Sequence, residues 1–264
     1  MEIAQLGLLD DGDIDLVEAG IALARADRPK ADGGALRRLV SGWAIALQRD
    51  SAPISAAGRA RRLTALIAGE TGLSGDTEDY ENPLNCDLVA VAERRRGLPV
   101  ALSILYVALA RRVGWRAEAL NLPGHVIVEV RVSMDSALLD PFDHGTGITR
   151  ERAIAIARQG GDDAADGRFE TMSNRQLLVR LVSNQASRAR IAGDTRRALA
   201  LHARMTAIAP QLTSLWWERA RLEQLLGHNV SARASLTAML ETTHDTALIR
   251  RIHAALAALA RSDS

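Results

Sequence analysis

Residues 100–113 read VALSILYVALARRV. Apolar side chains stand on almost every side of the helix this stretch would form, and charge enters only at Arg111 and Arg112. A helix without a polar face has to be enclosed, so the rest of the chain must supply elements that surround it. Its flanks agree with a helix. Pro99 suits a first turn, where a missing N–H is harmless, and Gly114 can take the left-handed stop. No run in the chain approaches the ~18 uninterrupted apolar residues of a spanning helix, so this segment is expected at the centre of a soluble domain.

The residues before it read as further helices. Asp13 is placed to cap a stretch bearing Ile14, Val17, Ile21 and Leu23 that ends near Pro29. Gly33 and Gly34 read as punctuation. Leu36, Leu39, Val40, Trp43, Ala44 and Leu47 then recur at helical spacing up to Pro53. A third helix runs through Leu63, Leu66 and Ile67 to Gly72, and the segment from Gly72 to Pro83 reads as loop. Asn85 is placed to cap a helix from Cys86 to Arg96, with Gly97 as its stop.

After Gly114 the pattern changes. Arg116 to Leu120 alternates weakly, His125 to Val132 (HVIVEVRV) is a β-branched strand, and Ala137 to Asp140 is a short strand ended by Pro141. Ile148 to Gln159 is helical, Gly160 to Gly167 is an acidic loop, and only helices follow Ser173. The pattern predicts an α+β, mostly helical fold: a core over 1–160 with a small antiparallel sheet and its first 72 residues wrapped around it, then a helical region over 168–264 packed on that core.

That tail has an internal period. Gly193 and Gly227 are 34 residues apart, as are Ala198 and Ala232, Met205 and Met239, and Ala186 and Ala220. This is the tetratricopeptide length, with small residues where paired helices approach and glycine in the turn between them. A generic pair of helical hairpins has the same outline.

Composition narrows the functional classes. The formal net charge is +1 and aromatics make up 3% of the chain, which argues against nucleic acid or an acidic membrane as partner. The basic runs Arg59, Arg61, Arg62 and Arg94–Arg96 fall inside helical patterns, where a solvated face is the simplest reading. A lone cysteine, Cys86, rules out an internal disulfide and fits a reducing compartment. The first residues lack the basic start of a secretory signal, so the cytoplasm is the expected location. Neither a cofactor nor a metal is expected.

Three motifs carry possible chemistry. Gly97-Leu98-Pro99 opens the buried helix, Gly124-His125 opens a strand, and Asp140-Pro141 ends the next. A helix N-terminus, a histidine on a strand and an aspartate on the neighbouring strand is the spatial order of a cysteine acyl-transfer triad. There the helix favours a thiolate, the imidazole takes its proton and the carboxylate fixes the tautomer. Each residue also has a plain reading. His125 can be a structural histidine bonded to Asp140, Asp140 can hold the turn into Pro141, Asn85 and Asp87 can start a helix, and His144 can face solvent. Cys86, at a second helix start, is a possible replacement thiol. Ser103, one turn beyond Pro99, is a weaker nucleophile candidate that would more simply bond a backbone carbonyl. His125, Asp140 and His144 match no metal-ligand spacing.

The stretch NPLNCDLVAVAERRRGLPVALSILYVALARRVGWRAEALNLPGHVIVEV, followed by LLDPFDHG, closely resembles the SirB-type branch of the transglutaminase-like superfamily. Members carry an asparagine-containing segment, a G-I/L-P helix start, an L-P-G-H strand and a D-P-F strand end. The tail from Asn174 to Pro210 is similar to that branch's repeat region, so the likeness spans roughly Asp79 to Ala260. It implies a papain-like core with a helical-repeat tail. In active members the buried helix begins G-x-C. On this chain that cysteine position is Pro99, while His125 and Asp140 fall on the catalytic histidine and aspartate. A proline offers no nucleophile. The implied role is therefore a binding module that takes a peptide or protein partner through the groove, with Asn85, Pro99, Ser103 and His144 around it, and through the tail. The alternative is a cysteine hydrolase or acyltransferase using Cys86 with His125 and Asp140. A third role is a scaffold that controls another enzyme.

Overall fold

A computed structural model of the protein describes residues 2–162 and 166–262. Its helices are α1 (Ile3–Leu6), α2 (Leu16–Asp27), α3 (Gly33–Gln48), α4 (Ala56–Thr64), α5 (Leu88–Arg94), α6 (Pro99–Arg112), α7 (Arg150–Gln159), α8 (Asn174–Ile191), α9 (Thr195–Ile208), α10 (Thr213–Leu225), α11 (Asn229–Glu241) and α12 (Thr246–Ser262). Its strands are β1 (Ser74–Gly75), β2 (Arg96–Gly97), β3 (Arg116–Leu122), β4 (His125–Val132), β5 (Asp135–Asp140), β6 (Thr146–Ile148) and β7 (Glu170–Thr171). The chain forms two compact units, Asp10–Leu177 and, together, Glu2–Leu9 with Leu178–Ser264. Part of the acidic loop expected over 160–167, residues 163–165, lies outside the described residues.

In the first unit α6 is the central element, buried from Pro99 through Val107 and again at Leu109 and Ala110. It packs on β3 and β4 and also touches α2, α3 and α5. The main sheet has the order β6-β5-β4-β3-β7 and is antiparallel throughout. Strand β4 is central, and Val126, Val128 and Val130 are buried on it. Leu120, Leu122, Ile127 and Leu138 pack with Ala153 and Ala157 of α7. Layers of helix, sheet and helix thus give both sides of β4 an apolar cover.

Several local expectations are corrected. The cap of α2 is Asp15, whose carboxylate accepts the amides of Val17 at 2.8 Å and Glu18 at 3.1 Å. Asp13 instead closes a 3-10 turn, Asp11–Asp13, so it cannot reach those donors. Gly33 and Gly34 lie inside the first turn of α3, capped by Asp32. Gly33 is needed for close approach, because a Cβ there would lie 2.4 Å from Ile21 Cγ2. The third helix continues beyond Thr64 as a π-helical segment, Ala65–Glu70. Gly97 does not stop the helix before it. Arg95 takes the left-handed position at φ 60°, and Gly97 lies in β2, where a Cβ would meet Val91 at 2.8 Å. The strand ending at Asp140 begins at Asp135, two residues earlier than its apolar pattern.

In the second unit Gly193 and Gly227 take left-handed φ values of 72° and 75° in the turns between α8 and α9 and between α10 and α11. Asp194 caps α9 through the Arg197 amide. Ala220, Ala232, Leu236, Met239, Ile252 and Leu259 form a core with Trp216 and Trp217 against it. Helix α1 belongs here. A Cβ on Gly7 would lie 2.4 Å from the Ala207 carbonyl oxygen, so the N-terminal segment meets α9 at its backbone. Among the described residues every element after Thr171 is a helix, and no helix is long and apolar enough to cross a membrane.

Candidate functional site

His125 is the first residue of β4 and Asp140 the last of β5. The pairing of the two strands ends at Val128 and Leu139, which leaves both side chains at the sheet's end. His125 Nε2 lies 2.9 Å from each Asp140 carboxylate oxygen, and the two side chains are 15% and 9% exposed. A carboxylate only accepts, so the neutral imidazole places its proton on Nε2 and keeps a lone pair on Nδ1. Asp140 is itself fixed, since Oδ1 also accepts the Phe142 amide at 3.0 Å. The Phe142 ring stands edge-on to the imidazole at 6.1 Å, and Tyr80 stands edge-on to Phe142 at 5.8 Å.

The start of α6 is set by backbone bonds. The Leu98 amide donates to the Asn85 carbonyl at 3.0 Å, and Pro99 opens the helix without a side-chain cap on Leu98. Ser103, fully buried, donates from Oγ to the Val126 carbonyl at 3.3 Å. It does bond a backbone carbonyl, as expected of a buried serine, but on the strand residue next to His125 and not within its own helix.

Asn85 and Cys86 are misplaced by the sequence reading. Both belong to a 3-10 turn, Pro83–Cys86, capped by Asn82, and Asp87 caps α5 through the Val89 and Ala90 amides. The expected helix from Cys86 to Arg96 therefore begins at Leu88 and ends at Arg94. Asp87 turns Oδ1 to the amides of the next turn while Oδ2 accepts from Arg28 Nε at 2.8 Å, whereas the side chain of Asn85 is used elsewhere. Cys86 precedes the cap and is 2% exposed, so the helix-start argument for its thiol does not apply. His144 is exposed, at φ 51° in the turn after Phe142.

The Asn85 amide donates to the Asp79 carbonyl at 2.8 Å, and its oxygen accepts from Arg94 at 2.8 Å. Arg94 also donates to Asp76 at 3.0 Å. Burial works against the charge of Asp76. The Asp79 amide, Asn85 and Arg94 outweigh it and hold the carboxyl below its ordinary range. Arg94 is thus a structural partner and not part of a solvated face, and Arg96 likewise donates to the Gly72 carbonyl and Ser74 Oγ. Strand β1 joins this cluster to both ends of the site. Ser74 N–H donates to the Arg95 carbonyl, Gly75 N–H to Phe142 and Asp76 N–H to Gly97. A Cβ on Gly75 would lie 2.6 Å from the Phe142 ring, so only glycine fits there.

Gly75, Asp76, Arg94, Tyr80 and Phe142 were not singled out from the sequence. Their one local signal was Phe142 in the D-P-F motif. Among the described residues no cluster of three His, Cys, Asp or Glu could hold a metal ion.

The sheet-end histidine paired to an aspartate lies on a strand that packs on the buried helix α6, and a family model described as the transglutaminase-like superfamily matches residues 35–183. The chain belongs to that superfamily. It is similar to the UPF0162 protein of Xylella fastidiosa strain 9a5c, 27% identical over 255 residues that cover 93% of this chain and 91% of the relative. The UPF0162 protein of Haemophilus influenzae is 34% identical over 91 residues, 34% of each chain. F-box only protein 21 of Homo sapiens is 37% identical over 70 residues, 26% of this chain and 11% of that one. No solved structure matches the chain.

Proposed function

We propose that this chain is a non-catalytic transglutaminase-like protein of the SirB-type branch, cytoplasmic, that binds a protein or peptide partner. The observation that carries the reading is Pro99. It stands at the helix start where a superfamily enzyme presents its cysteine, while the His125–Asp140 pair beside it is intact. A neutral imidazole that keeps a lone pair on Nδ1 is a hydrogen-bond acceptor for a bound group. The helical unit, with the spacing of tetratricopeptide repeats, offers a second surface of the kind that takes extended segments. Net charge of +1 and few aromatics favour protein over nucleic acid.

The test is affinity capture with mapping of a bound partner by crosslinking. His125→Ala, or Arg190→Glu with Arg221→Glu, two residues that line a pocket of the helical unit with Ser183, His202 and Leu222, should release it. A partner retained by every one of these variants removes the reading. Labelling of Cys86 by iodoacetamide that disappears in His125→Ala would instead favour the cysteine hydrolase or acyltransferase.

A further inference from the structure

The main sheet has an uncovered edge one strand away from Asp140. β6 pairs with β5 through Thr146–Asp140, Gly147–Leu139 and Ile148–Leu138, and it is the last strand in the order, so its outer side has no strand partner. Such an edge presents backbone donors and acceptors in a row. A cavity of about 840 Å³ borders all of β6 and is walled on the other side by α4. Ala57 and Ala60 of α4 and Ala65 just beyond it make the small, apolar part of that wall. Among the described residues that line it, Arg61 and His144 are the charged or titratable ones, and none is a carboxylate.

Two independent observations add to this. The Tyr106 hydroxyl is buried without a hydrogen-bond partner. It lies against Gly145 and Thr64, both in the cavity wall, since a Cβ on Gly145 would be 2.3 Å from that oxygen. The Thr64 hydroxyl donates to the Gly145 carbonyl at 2.6 Å. Burial pushes the Tyr106 hydroxyl above its ordinary range, which keeps it a donor. Beyond the cavity, Ile54 and Met134 are 94% and 99% exposed, and their segments are joined by the bond from the Ala56 amide to Asp135 at 2.8 Å. Two large apolar side chains thus stand in solvent on segments that lead into the cavity wall at Ala57 and Ser136.

We propose that this groove docks an extended segment of a partner protein, which adds a strand to β6, rests small or aliphatic side chains on α4 and brings an acidic group to Arg61 and His144. The proposal rests on the partner-binding reading above and gives it a surface and a ligand chemistry. Strand addition supplies affinity through main-chain bonds, and alternate side chains supply selectivity. The acidic preference follows from a wall that offers donors and positive charge with no opposing carboxylate.

The probe is a displayed library of random twelve-residue peptides selected on the full chain. Selected clones should alternate β-branched and polar residues and carry Asp or Glu. A synthetic clone should shift the amide resonances of Thr146–Ile148, lose binding when N-methylated at alternate residues, and weaken about tenfold on Arg61→Glu. Clones without an acidic preference, or binding that survives N-methylation, overturn the proposal. Clones indifferent to Arg61→Glu but lost on Arg190→Glu with Arg221→Glu overturn the groove and leave the partner-binding reading standing. A selection that yields no binder overturns the groove, and loss of affinity-captured partners is then judged separately on the His125→Ala variant. A concentration-dependent dimer that shifts the same β6 amides would identify a second copy as the occupant and overturn the peptide.

Discussion

Helices α6 and α10 have nearly the same length, 14 and 13 residues, but eleven residues of α6 are buried against three of α10, Ala220, Leu222 and Glu223. The contrast separates two ways of building a stable unit. In the first, a helix without a polar side is enclosed by strands and helices distant in sequence, and its packing defines the site. In the second, neighbouring helices pair in sequence order and leave large side chains such as Leu225 and Val230 in solvent. The first arrangement tolerates little change at its centre, while the second distributes its contacts.

The largest expected effect tests that contrast directly. Leu102→Ala should destabilise the protein by about 3 kcal/mol, whereas Leu225→Ala should change stability by no more than about 0.5 kcal/mol, both read from urea melts. Equal losses would abolish the distinction. Next is Asp76→Ala, which takes from the partly buried Arg94 its carboxylate partner and should lower stability by about 2–3 kcal/mol. The folded-state carboxyl lies below its ordinary range, so its contribution is present at neutral pH and fades as pH falls through and below the ordinary carboxylate range. A melting curve for Asp76→Ala that runs parallel to the parent's down to pH 2 would show that this charge contributes nothing.

The helical unit should have its own pH response. Burial lowers the His202 imidazole, against a smaller opposing effect from Glu218, so the unfolded chain takes up a proton first as pH drops. Stability is therefore full above about pH 6.5 and declines as pH falls below it. His202→Leu should flatten the fall in melting temperature between pH 7 and 5, and an unchanged slope would assign that fall elsewhere. The smallest effect belongs to Tyr106→Phe. Removing a buried hydroxyl that has no partner should leave stability within about 1 kcal/mol of the parent or raise it slightly. A larger loss in a chemical melt would mean that the hydroxyl is bonded.

The parts legible in sequence were those with a sustained local pattern. An apolar run closed by Pro99 and Gly114 defines α6, and alternation of β-branched residues defines β4 over the same residues that the structure assigns. Strands of two or three residues, β1, β2, β6 and β7, carry no period and exist only through their partners. The same division holds at the site. His125 and Asp140 stand out because each begins or ends a recognisable strand. Asp76 and Arg94 meet across 18 positions of chain, through a turn-rich segment and a basic run whose composition alone suggested loop and solvent.

Strand β1 and the residue after it, Asp76, have a mechanical consequence. Gly75 hangs from the loop after β5, and the residues on either side of it hang from the chain just ahead of α6. The sheet end that carries Asp140 and the chain leading into α6 are thus riveted together by backbone alone, independently of what side chain occupies position 99. The spacing between the start of α6 and the loop after β5 is preset, like a vice locked to a fixed width whatever is placed in it.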